Sequence, residues 1–329
     1  MRAILFDLPG DDSVLYLGQS DVPAMGPDDL RIRVSAAGVN RADLLQRQGK
    51  YPPPPGASTI LGMECSGRVI EAGARALGWR VGDRAMALMA GGGYAEEAVV
   101  DARSAMHVPE GWSDEEAAAM PEVFLTAYLN IFDLARARRG ETLLVHGGGS
   151  GVGTAAITLG KLAGMRVMVT VGSAEKAARC REHGADVAIN YRQEDFAVRI
   201  LEETDGRGAD VILDHIGASY LPRDLQALAM GGRVVIIGSM GGPGRIELDV
   251  GSLLMKRQQI IGSTLRARSI KEKAAFVTGF LEKFGDALGD GRLRPVIDRV
   301  FPLEEAGAAH RSMAASEHFG KLVLRVAES

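Results

Sequence analysis

Hydrophobic positions change their spacing near residue 113. Before it, apolar and polar residues alternate in short segments that glycine, proline and aspartate separate: MRAILFD, DLRIRVSAAG, SGRVIEAG, DRAMALM and YAEEAVV. Alternation with a period of two is typical of strands with one buried face. The first 110 residues therefore predict a mostly β domain, for which a barrel is one arrangement. YPPPPG at 51–56 is expected to be an extended loop, because proline donates no ladder hydrogen bond.

From Ser113 onwards, strands are predicted to alternate with helices. Ser113 and Glu116 form an S-x-x-E capping box ahead of EEAAAM, which predicts that a helix begins there. The following segments are continuously apolar: ETLLVHG, RVMVTVG, ADVAINY, ADVILDHIG, GRVVIIGS and QQIIGST. Continuous apolar strands between helical segments are typical of a parallel sheet covered on both faces. The sequence predicts a doubly wound α/β domain.

The segment after about residue 267 is too short to form a domain of its own. It contains one amphipathic helix, around AAFVTGFLEKF, and a final strand, GKLVLRV. We expect this tail to return to the first domain. The predicted division is therefore 1–121 together with 267–329, and 122–266 as the second domain.

A glycine-rich stretch, LLVHGGGSGVGTAAI at 143–157, joins a predicted strand to a predicted helix. A helix N-terminus presents free N–H groups, and residues without side chains let an anion approach them. We predict a dinucleotide pyrophosphate site at Gly149, Ser150, Gly151 and Val152. Ser150 replaces the second glycine of G-x-G-x-x-G, and close packing is the alternative explanation. A nucleophile elbow, G-x-S-x-G, is not matched, because Val152 stands two residues after Ser150.

The end of the second strand of this domain, in RVMVTVGSAEK, predicts which nicotinamide cofactor binds. NAD-binding enzymes place a carboxylate there to hold the ribose diol. Gly172 and Ser173 stand there instead, and Glu175 is expected to cap the next helix. Lys176 and Tyr191, with Arg192 as a further candidate, could contact a 2′-phosphate; solvated surface positions are the alternative. The missing carboxylate favours NADPH over NADH.

Composition and charge exclude several classes of protein. The formal net charge of −4 gives no bulk attraction to nucleic acid or to an anionic membrane, so neither is an expected partner. Asp7 and Asp11 interrupt the N-terminal apolar positions, and no run of about 18 uncharged apolar residues occurs, which predicts a cytoplasmic protein. Cys65 and Cys180 lie far apart, which excludes a disulfide framework and a four-thiolate zinc site. The scattered histidines are interpreted as core or surface residues.

Several motifs together resemble one family over essentially the whole chain. They are GVNRADLLQRQGKYPPPPGASTILGMECSG at 38–67, HGGGSGVGTAAI, AINYRQEDF and ILDHIG. They are similar to the medium-chain dehydrogenase/reductases, in the zinc-free, zeta-crystallin-like quinone oxidoreductase branch and particularly its p53-inducible quinone reductase type. The resemblance implies a GroES-like catalytic domain at 1–121 and 267–329, and a Rossmann NADPH-binding domain at 122–266.

The resemblance also bears on zinc. Zinc-dependent alcohol dehydrogenases of this family carry a cysteine and the histidine of a G-H-E motif at the metal. The corresponding stretches here are GVNRADL and GMEC, so that Asn40 or a neighbour replaces the thiolate and Met63 replaces the imidazole. An amide and a thioether do not form a tetrahedral zinc site. We expect a zinc-free enzyme whose acceptor carbonyl is already electron-poor, as in quinones and conjugated enones.

Tyr51 and Asn40 are the candidate catalytic residues. By resemblance, Tyr51 at the start of the proline loop contacts the substrate, and Asn40 offers an amide donor at the position of the lost metal ligand. The alternatives are a Tyr51 ring that packs on the neighbouring prolines and an Asn40 that satisfies local backbone groups.

Two acidic residues of these motifs, Asp43 and Glu64, are interpreted as structural. An arginine, Arg41 or Arg68, lies near each of them in the sequence. A charged residue beside an arginine is more often half of a structural pair, so both acids are left out of the predicted site.

The resemblance also implies further residues that contact the cofactor, at strand ends of the second domain. They are Thr126 near the nicotinamide carboxamide, Ile216, Gly238, Ser239, Met240, Gly241, Leu265 and Arg266. The carboxyl ends of parallel strands are where such ligands bind. The last strand, QQIIGST, leaves an apolar sheet edge, and its covering by a second copy predicts a homodimer, which the resemblance also implies.

The leading functional hypothesis is an NADPH-dependent quinone oxidoreductase that transfers hydride directly from nicotinamide C4 to a quinone, without metal. One alternative is a reductase of conjugated enals or enones, which also needs proton delivery to carbon. The other is a non-catalytic, NADPH-bound binding protein like the crystallin or RNA-binding relatives of this branch. The weak net charge argues against RNA.

Overall fold

The computed structural model describes residues 1–242 and 244–326, and the chain divides into two compact units. Unit 1 consists of Met1–Leu125 and Leu265–Ser329, and unit 2 consists of Thr126–Thr264. Each unit has its own hydrophobic cluster, around residues such as Ile32 in unit 1 and Ile212 in unit 2. Helices in the described residues lack the combination of length and apolar character that crossing a bilayer requires.

The chain up to Tyr128 consists mostly of strands, with one short helix at 41–47 and two helices at its end. Its elements are β1 (Arg2–Leu5), β2 (Tyr16–Gln19), β3 (Asp29–Val39), α1 (Arg41–Arg47), β4 (Glu64–Ala72), β5 (Arg84–Leu88), β6 (Glu97–Asp101), β7 (Ala105–His107), α2 (Asp114–Ala118) and α3 (Pro121–Tyr128). Ser113 caps α2 in the predicted box with Glu116, which confirms that helix start. Residues 51–56 lie in neither strand nor helix, as the prolines predict.

The next part of the chain, in unit 2, alternates strands with helices. A π-helical turn at Leu129–Leu134 precedes β8 (Thr142–Val145), α4 (Gly151–Leu162), β9 (Arg166–Val171), α5 (Ala174–Glu182), β10 (Val187–Asn190), α6 (Phe196–Glu203), β11 (Ala209–Asp214), α7 (Leu221–Ala227), β12 (Leu228–Ile236), α8 (Val250–Met255) and β13 (Gln259–Gly262). The C-terminal part adds α9 (Ile270–Gly289), β14 (Ile297–Pro302), α10 (Ala306–Ala315) and β15 (Lys321–Arg325). Short 3-10 turns lie at Asp12–Val14, Ala102–Ser104 and Leu303–Glu305.

The main sheet of unit 1 has the order β14-β15-β3-β4-β5-β7, and β6 also pairs with β3. All of these pairs are antiparallel except β14 with β15. β3 is long enough to hold β6 along 29–33 and β15 along 36–39. The C-terminal strand thus returns to the sheet of the first part of the chain, and Leu322 lies opposite Val39.

The sheet of unit 2 is parallel throughout, with the order β10-β9-β8-β11-β12-β13. The order reverses beside β8, so that the loop after β8 lies at the switch point of a doubly wound sheet. This is the predicted arrangement. β13 is an edge strand, and its Ile260 is 37% exposed.

Candidate functional site

The loop between β8 and α4 ends at the N-terminus of a helix. Ser150 is the N-cap of α4, and its Oγ accepts a hydrogen bond from Gly153 N–H at 3.0 Å. Within the described residues, the N–H groups of Gly149 and Val152 donate no hydrogen bond. Free amides at the positive end of a helix dipole form a site for an anion. This geometry fits a pyrophosphate, the group that the sequence predicts here.

Some glycines of the loop are needed for packing as well. A Cβ added at Gly153 would lie 2.3 Å from Gly147 O and 2.6 Å from Gly148 O. A Cβ at Gly148 would lie 2.6 Å from Cβ of Val169 in β9. The packing explanation therefore applies at these two glycines. It leaves the free amides unexplained, so the pyrophosphate site stays a prediction.

The ends of β9 and β10 bring Gly172 and Tyr191 together. A Cβ at Gly172 would lie 2.7 Å from the hydroxyl of Tyr191, so Tyr191 lies over the position where NAD-binding enzymes place a carboxylate. Ser173 caps α5, and its Oγ accepts from Lys176 N–H at 3.2 Å. The expectation that Glu175 caps this helix is wrong. The shorter Ser173 side chain reaches the free amides, and Glu175 lies within the first turn.

The loops after β11 and β12 are joined by backbone hydrogen bonds. Met240 N–H donates to His215 O and Gly241 N–H donates to Ile216 O, both at 2.9 Å. The predicted contacts Ile216, Gly238, Ser239, Met240 and Gly241 therefore lie together at the carboxyl ends of these strands. Thr126 is buried in α3, where its carbonyl accepts from Asn130 Nδ2 at 2.7 Å.

Beside the glycine loop, a buried polar network supports the sheet. His146 Nε2 lies 2.8 Å from Asp224 Oδ1, and His146 Nδ1 lies 2.9 Å from Thr170 Oγ1. Asp214 accepts N–H groups of Ile216 and Gly217, and burial raises its pKa to about 6. His146, Asp214 and Asp224 come close enough together for a metal ion. Because both His146 nitrogens already have partners, we interpret His146 as the core histidine that the sequence predicts.

Arg266 lies in unit 1, although the predicted division put Leu265 and Arg266 with the nucleotide-binding domain. Its guanidinium donates to Ala90 O at 2.7 Å, to Tyr51 O at 3.2 Å and to Gln46 Oε1 at 2.6 Å. It also lies over the Tyr51 ring, 5.4 Å from the centroid. In the structure, Arg266 fixes the start of the proline loop.

The side chain of Tyr51 is half-buried. Burial raises the pKa of Tyr51, the charge of Glu122 adds to the rise, and Arg266 opposes it. The hydroxyl therefore stays protonated at neutral pH and is a hydrogen-bond donor.

A buried cluster joins the start of α1 to β4 and β15. Lys321 Nζ donates to Glu64 Oε1 at 2.6 Å, to Asn40 Oδ1 at 2.8 Å and to Val39 O at 2.8 Å. Asn40 Nδ2 donates to Glu64 Oε1 at 2.8 Å and to Gly38 O at 3.4 Å. The amide of Asn40 is thus engaged within the chain rather than free to donate to a substrate.

The interpretation of Asp43 and Glu64 as partners of Arg41 or Arg68 is wrong. The partner of Glu64 is Lys321, and the arginines donate elsewhere, to Ser316 Oγ and Gly82 O. A separation of 257 residues between Lys321 and Glu64 hides this pair from the sequence.

Asp43 also has partners that its sequence neighbours do not indicate. Its Oδ2 accepts from Asn40 N–H at 2.8 Å and from the Tyr94 hydroxyl at 3.1 Å, and its Oδ1 accepts from Gly62 N–H at 3.2 Å. Burial raises the pKa of Asp43 to about 6.

These residues do not fit a catalytic zinc ion. The oxygen of Asn40 already accepts from an ammonium group, and the same ammonium neutralises Glu64. Met63, at the position of the imidazole ligand of the zinc enzymes, is a buried thioether, which is a poor ligand for zinc. A second cation beside the Lys321 ammonium would be repelled.

Glu122, which no motif of the sequence indicates, lies beside this cluster. Glu64 Oε2 accepts its backbone N–H at 2.8 Å. Burial, with the charge of Glu64 adding to it, raises the pKa of Glu122 to about 8. In the sequence, an acid just after Pro121 indicates only a favourable first turn of a helix, so no local signal distinguishes Glu122.

Comparison with known families and proteins adds to this geometry. Residues 26–110 match the alcohol dehydrogenase GroES-like domain, and residues 151–279 match the zinc-binding dehydrogenase family. Quinone oxidoreductase from Rattus norvegicus is 33% identical over 98% of this chain and 97% of that protein. A mycocerosic acid synthase-like polyketide synthase from Mycobacterium tuberculosis is 32% identical over 97% of this chain, which spans 15% of that protein's length.

Solved structures are similar over almost the whole chain. Quinone oxidoreductase from Escherichia coli complexed with NADPH has a TM-score of 0.87 at 27% identity, covering 99% of this chain and 100% of that chain. An NAD-dependent alcohol dehydrogenase has a TM-score of 0.87 at 32% identity, with coverages of 99% and 100%. The CurK enoyl reductase has a TM-score of 0.87 at 26% identity, with 98% of each chain covered. The predicted fold class, a Rossmann sheet with a GroES-like β-rich part, is confirmed.

Proposed function

This chain belongs to the medium-chain dehydrogenase/reductase family and is an oxidoreductase, and from that premise we propose that it is an NADPH-dependent quinone oxidoreductase. The observation that carries the proposal is the likeness to rat quinone oxidoreductase over nearly the full length of both chains. The quinone oxidoreductase from E. coli supports it at the level of structure.

The proposed cofactor is NADPH rather than NADH. Gly172 and Ser173 stand where NAD enzymes place the ribose-binding carboxylate, and the hydroxyl of Tyr191 lies over Gly172. Lys176 supplies a cation on the helix that Ser173 caps. The E. coli quinone oxidoreductase was solved with NADPH. The free amides of the glycine loop fit the pyrophosphate, and the predicted residues at the strand ends complete the proposed cofactor site.

Bound NADPH supplies hydride from its nicotinamide ring. The chain's own residues bind the cofactor, orient the loop beside the substrate and donate a hydrogen to it. Gly149 and Val152 offer amides to the pyrophosphate. Tyr51 donates its hydroxyl hydrogen to the quinone oxygen on which negative charge develops, and Arg266 fixes the loop that carries Tyr51. Asn40 acts in this proposal by holding Glu64 and Lys321 in place, since its amide is already engaged.

The proposed reaction needs no metal. The Lys321 ammonium stands beside Asn40 and Glu64, where a zinc ion would need anionic or neutral ligands. An acceptor that is already electron-poor does not need a Lewis acid, and quinones meet that requirement.

A reductase of conjugated enals or enones is the second candidate. The likeness to the CurK enoyl reductase favours it, because reduction of a carbon–carbon double bond uses the same cofactor arrangement. It differs in requiring a proton at carbon rather than at oxygen.

We also keep a cytoplasmic homodimer, paired through the exposed β13 edge, as a prediction.

NADPH oxidation against ortho-quinones, para-quinones and alkenals, with and without a chelator, tests the proposal. We expect quinones to be reduced fastest, at rates that the chelator leaves unchanged, and NADPH to be preferred over NADH by at least about tenfold, or about 1.4 kcal/mol. Faster reduction of alkenals would favour the second candidate, and loss of activity with chelator would contradict the metal-free reaction. Binding of NADPH without reduction of any acceptor would indicate a non-catalytic binding protein.

A further inference from the structure

The segment from Tyr51 to Thr59, which begins with the proline loop, has few hydrogen bonds of its own. Four of its residues are prolines, which have no N–H group. Among the described residues, one backbone hydrogen bond joins two members of the segment, from Ala57 N–H to Pro54 O at 3.0 Å. Groups elsewhere in unit 1 must therefore hold the segment in place.

Arg266 holds the first residue of this segment. Its Nη1 donates to Tyr51 O at 3.2 Å, its Nε donates to Ala90 O at 2.7 Å, and its Nη2 donates to Gln46 Oε1 at 2.6 Å. The side chain is buried, and each of the three guanidinium nitrogens has a partner within unit 1. The orientation of the guanidinium is therefore fixed.

Gln46 holds the other end of the segment. Its Oε1 accepts from Arg266, and its Nε2 donates to Thr59 O at 2.8 Å. Gln46 lies in α1 and is 4% exposed, so its amide depends on these two partners. An amide both accepts and donates, whereas a carboxylate only accepts. Gln46 and Arg266, here called the clamp, thus connect Tyr51 to Thr59 through two side chains.

We propose that Gln46 is a positioning residue for Tyr51, and this inference rests on the proposed quinone reduction. The clamp fixes both ends of the segment, and Arg266 also lies over the Tyr51 ring, 5.4 Å from its centroid. The hydroxyl is thereby kept where it donates to the quinone oxygen as negative charge develops there. A misplacement of about 1 Å costs up to about a hundredfold in rate, so loss of the clamp slows turnover.

Kinetics of Gln46→Met test the proposal, because methionine keeps the length of the side chain and removes the amide. We expect kcat with a quinone to fall about tenfold. The KM for the quinone and the Kd for NADPH should stay within about twofold, because the hydrogen bond from Tyr51 strengthens only in the transition state.

Gln258→Met is the matched control. Gln258 is also buried, and its Nε2 donates to two backbone carbonyls of unit 2, at 2.9 and 3.0 Å. Its replacement should cost similar stability, measured by urea unfolding, and leave kcat unchanged. An equal fall of kcat in Gln258→Met would show that lost packing, rather than the clamp, slows the enzyme.

Two further variants separate positioning from a structural role. Gln46→Glu keeps the acceptor for Arg266 and loses the donor to Thr59 O, so we expect it to recover kcat to within about threefold of the wild-type value. In a Tyr51→Phe background, Gln46→Met should cause no further loss of kcat, because the clamp acts through the Tyr51 hydroxyl. An equal loss in both backgrounds would overturn the proposal.

Hydrogen exchange measures the hold on the segment without turnover. Ala57 N–H donates to Pro54 O, and Ile60 N–H donates to Ser58 Oγ at 3.2 Å. We expect both amides to exchange at least about tenfold faster in Gln46→Met and at the wild-type rate in Gln258→Met. Unchanged exchange in Gln46→Met would contradict the clamp.

The outcomes separate this inference from the function on which it rests. A wild-type enzyme that reduces no quinone contradicts the proposed function, and the positioning role with it. If quinones are reduced and Gln46→Met keeps the wild-type kcat, the function stands and the role of Gln46 is wrong.

Discussion

The glycine loop of unit 2 and the buried cluster of unit 1 both suit charged groups. The loop does so with backbone groups and the cluster with side chains. The loop offers backbone amides at the start of α4, with glycines at 148 and 153 that allow close packing. The cluster is made of side chains, in which Lys321, Glu64 and Asn40 satisfy one another almost out of contact with water.

The difference lies in what each region tolerates. Backbone amides carry only partial charges, so the loop is stable without an anion bound to it. A buried carboxylate is stable only with its cation present, because the interior does not solvate an isolated charge. The loop is therefore expected to be sensitive to added volume, and the cluster to lost charge.

Removal of the cation is the largest expected effect. Lys321→Met leaves Glu64, which is 0% exposed, without its partner. Breaking a buried pair on one side costs about 3–5 kcal/mol, so we expect a loss of that order in the free energy of unfolding, measured with urea.

Lys161→Met is the matched control for Lys321→Met. The pair of Lys161 with Asp186 has a similar distance, 2.7 Å, but its side chains are 40% and 34% exposed, so the expected loss is about 1 kcal/mol or less. Glu64→Gln added to Lys321→Met should recover part of the stability. Equal losses of unfolding free energy in the two lysine variants would show that burial does not distinguish the two ion pairs.

Added volume in the glycine loop is the next effect. Gly153→Ala forces a methyl group against two backbone oxygens, which must move. We expect the Kd for NADPH to rise at least about tenfold and stability to fall by about 1–3 kcal/mol, the usual cost of overpacking. Fluorescence titration and urea unfolding measure these two quantities.

Gly285→Ala is the control for Gly153→Ala. A Cβ at Gly285, inside α9, meets no atom within 4 Å. Alanine there should leave NADPH binding unchanged and add about 0.5–1 kcal/mol of stability. Unchanged NADPH affinity in Gly153→Ala would show that the loop does not position the cofactor.

Loss of the cap is the smallest expected effect. Ser150→Ala removes the acceptor of Gly153 N–H, which costs about 1 kcal/mol of stability. The Kd for NADPH should rise by less than about tenfold, since the backbone amides remain and 1 kcal/mol corresponds to about fivefold. Ser269→Ala, which removes the cap of α9, should cost similar stability without changing this Kd. A matching rise in Kd for Ser269→Ala would contradict a local role of Ser150.

Local rules of the sequence predicted some elements and missed others. The capping box at Ser113 and the strands of the parallel sheet follow from short-range pattern and are found where expected, whereas β7 and β14 of the other sheet were not predicted. The short helices α1, α8 and α10 were not predicted, because six to ten residues show too little periodicity. The wrong cap at Glu175 shows a limit of the same kind, since Ser173 and Glu175 both lie where an acceptor is favoured.

By itself, the sequence determined the two sheet patterns, the glycine loop and the missing carboxylate at Gly172, because each depends on residues within about one element of one another. Only the tertiary structure decided the partners of Glu64 and Asn40, the place of Arg266 beside Tyr51 and the environment of Glu122. The physical reason is that the pKa and the ionic state of a buried group depend on every charge and every loss of water around it. Those charges come from strands and helices that only folding brings together.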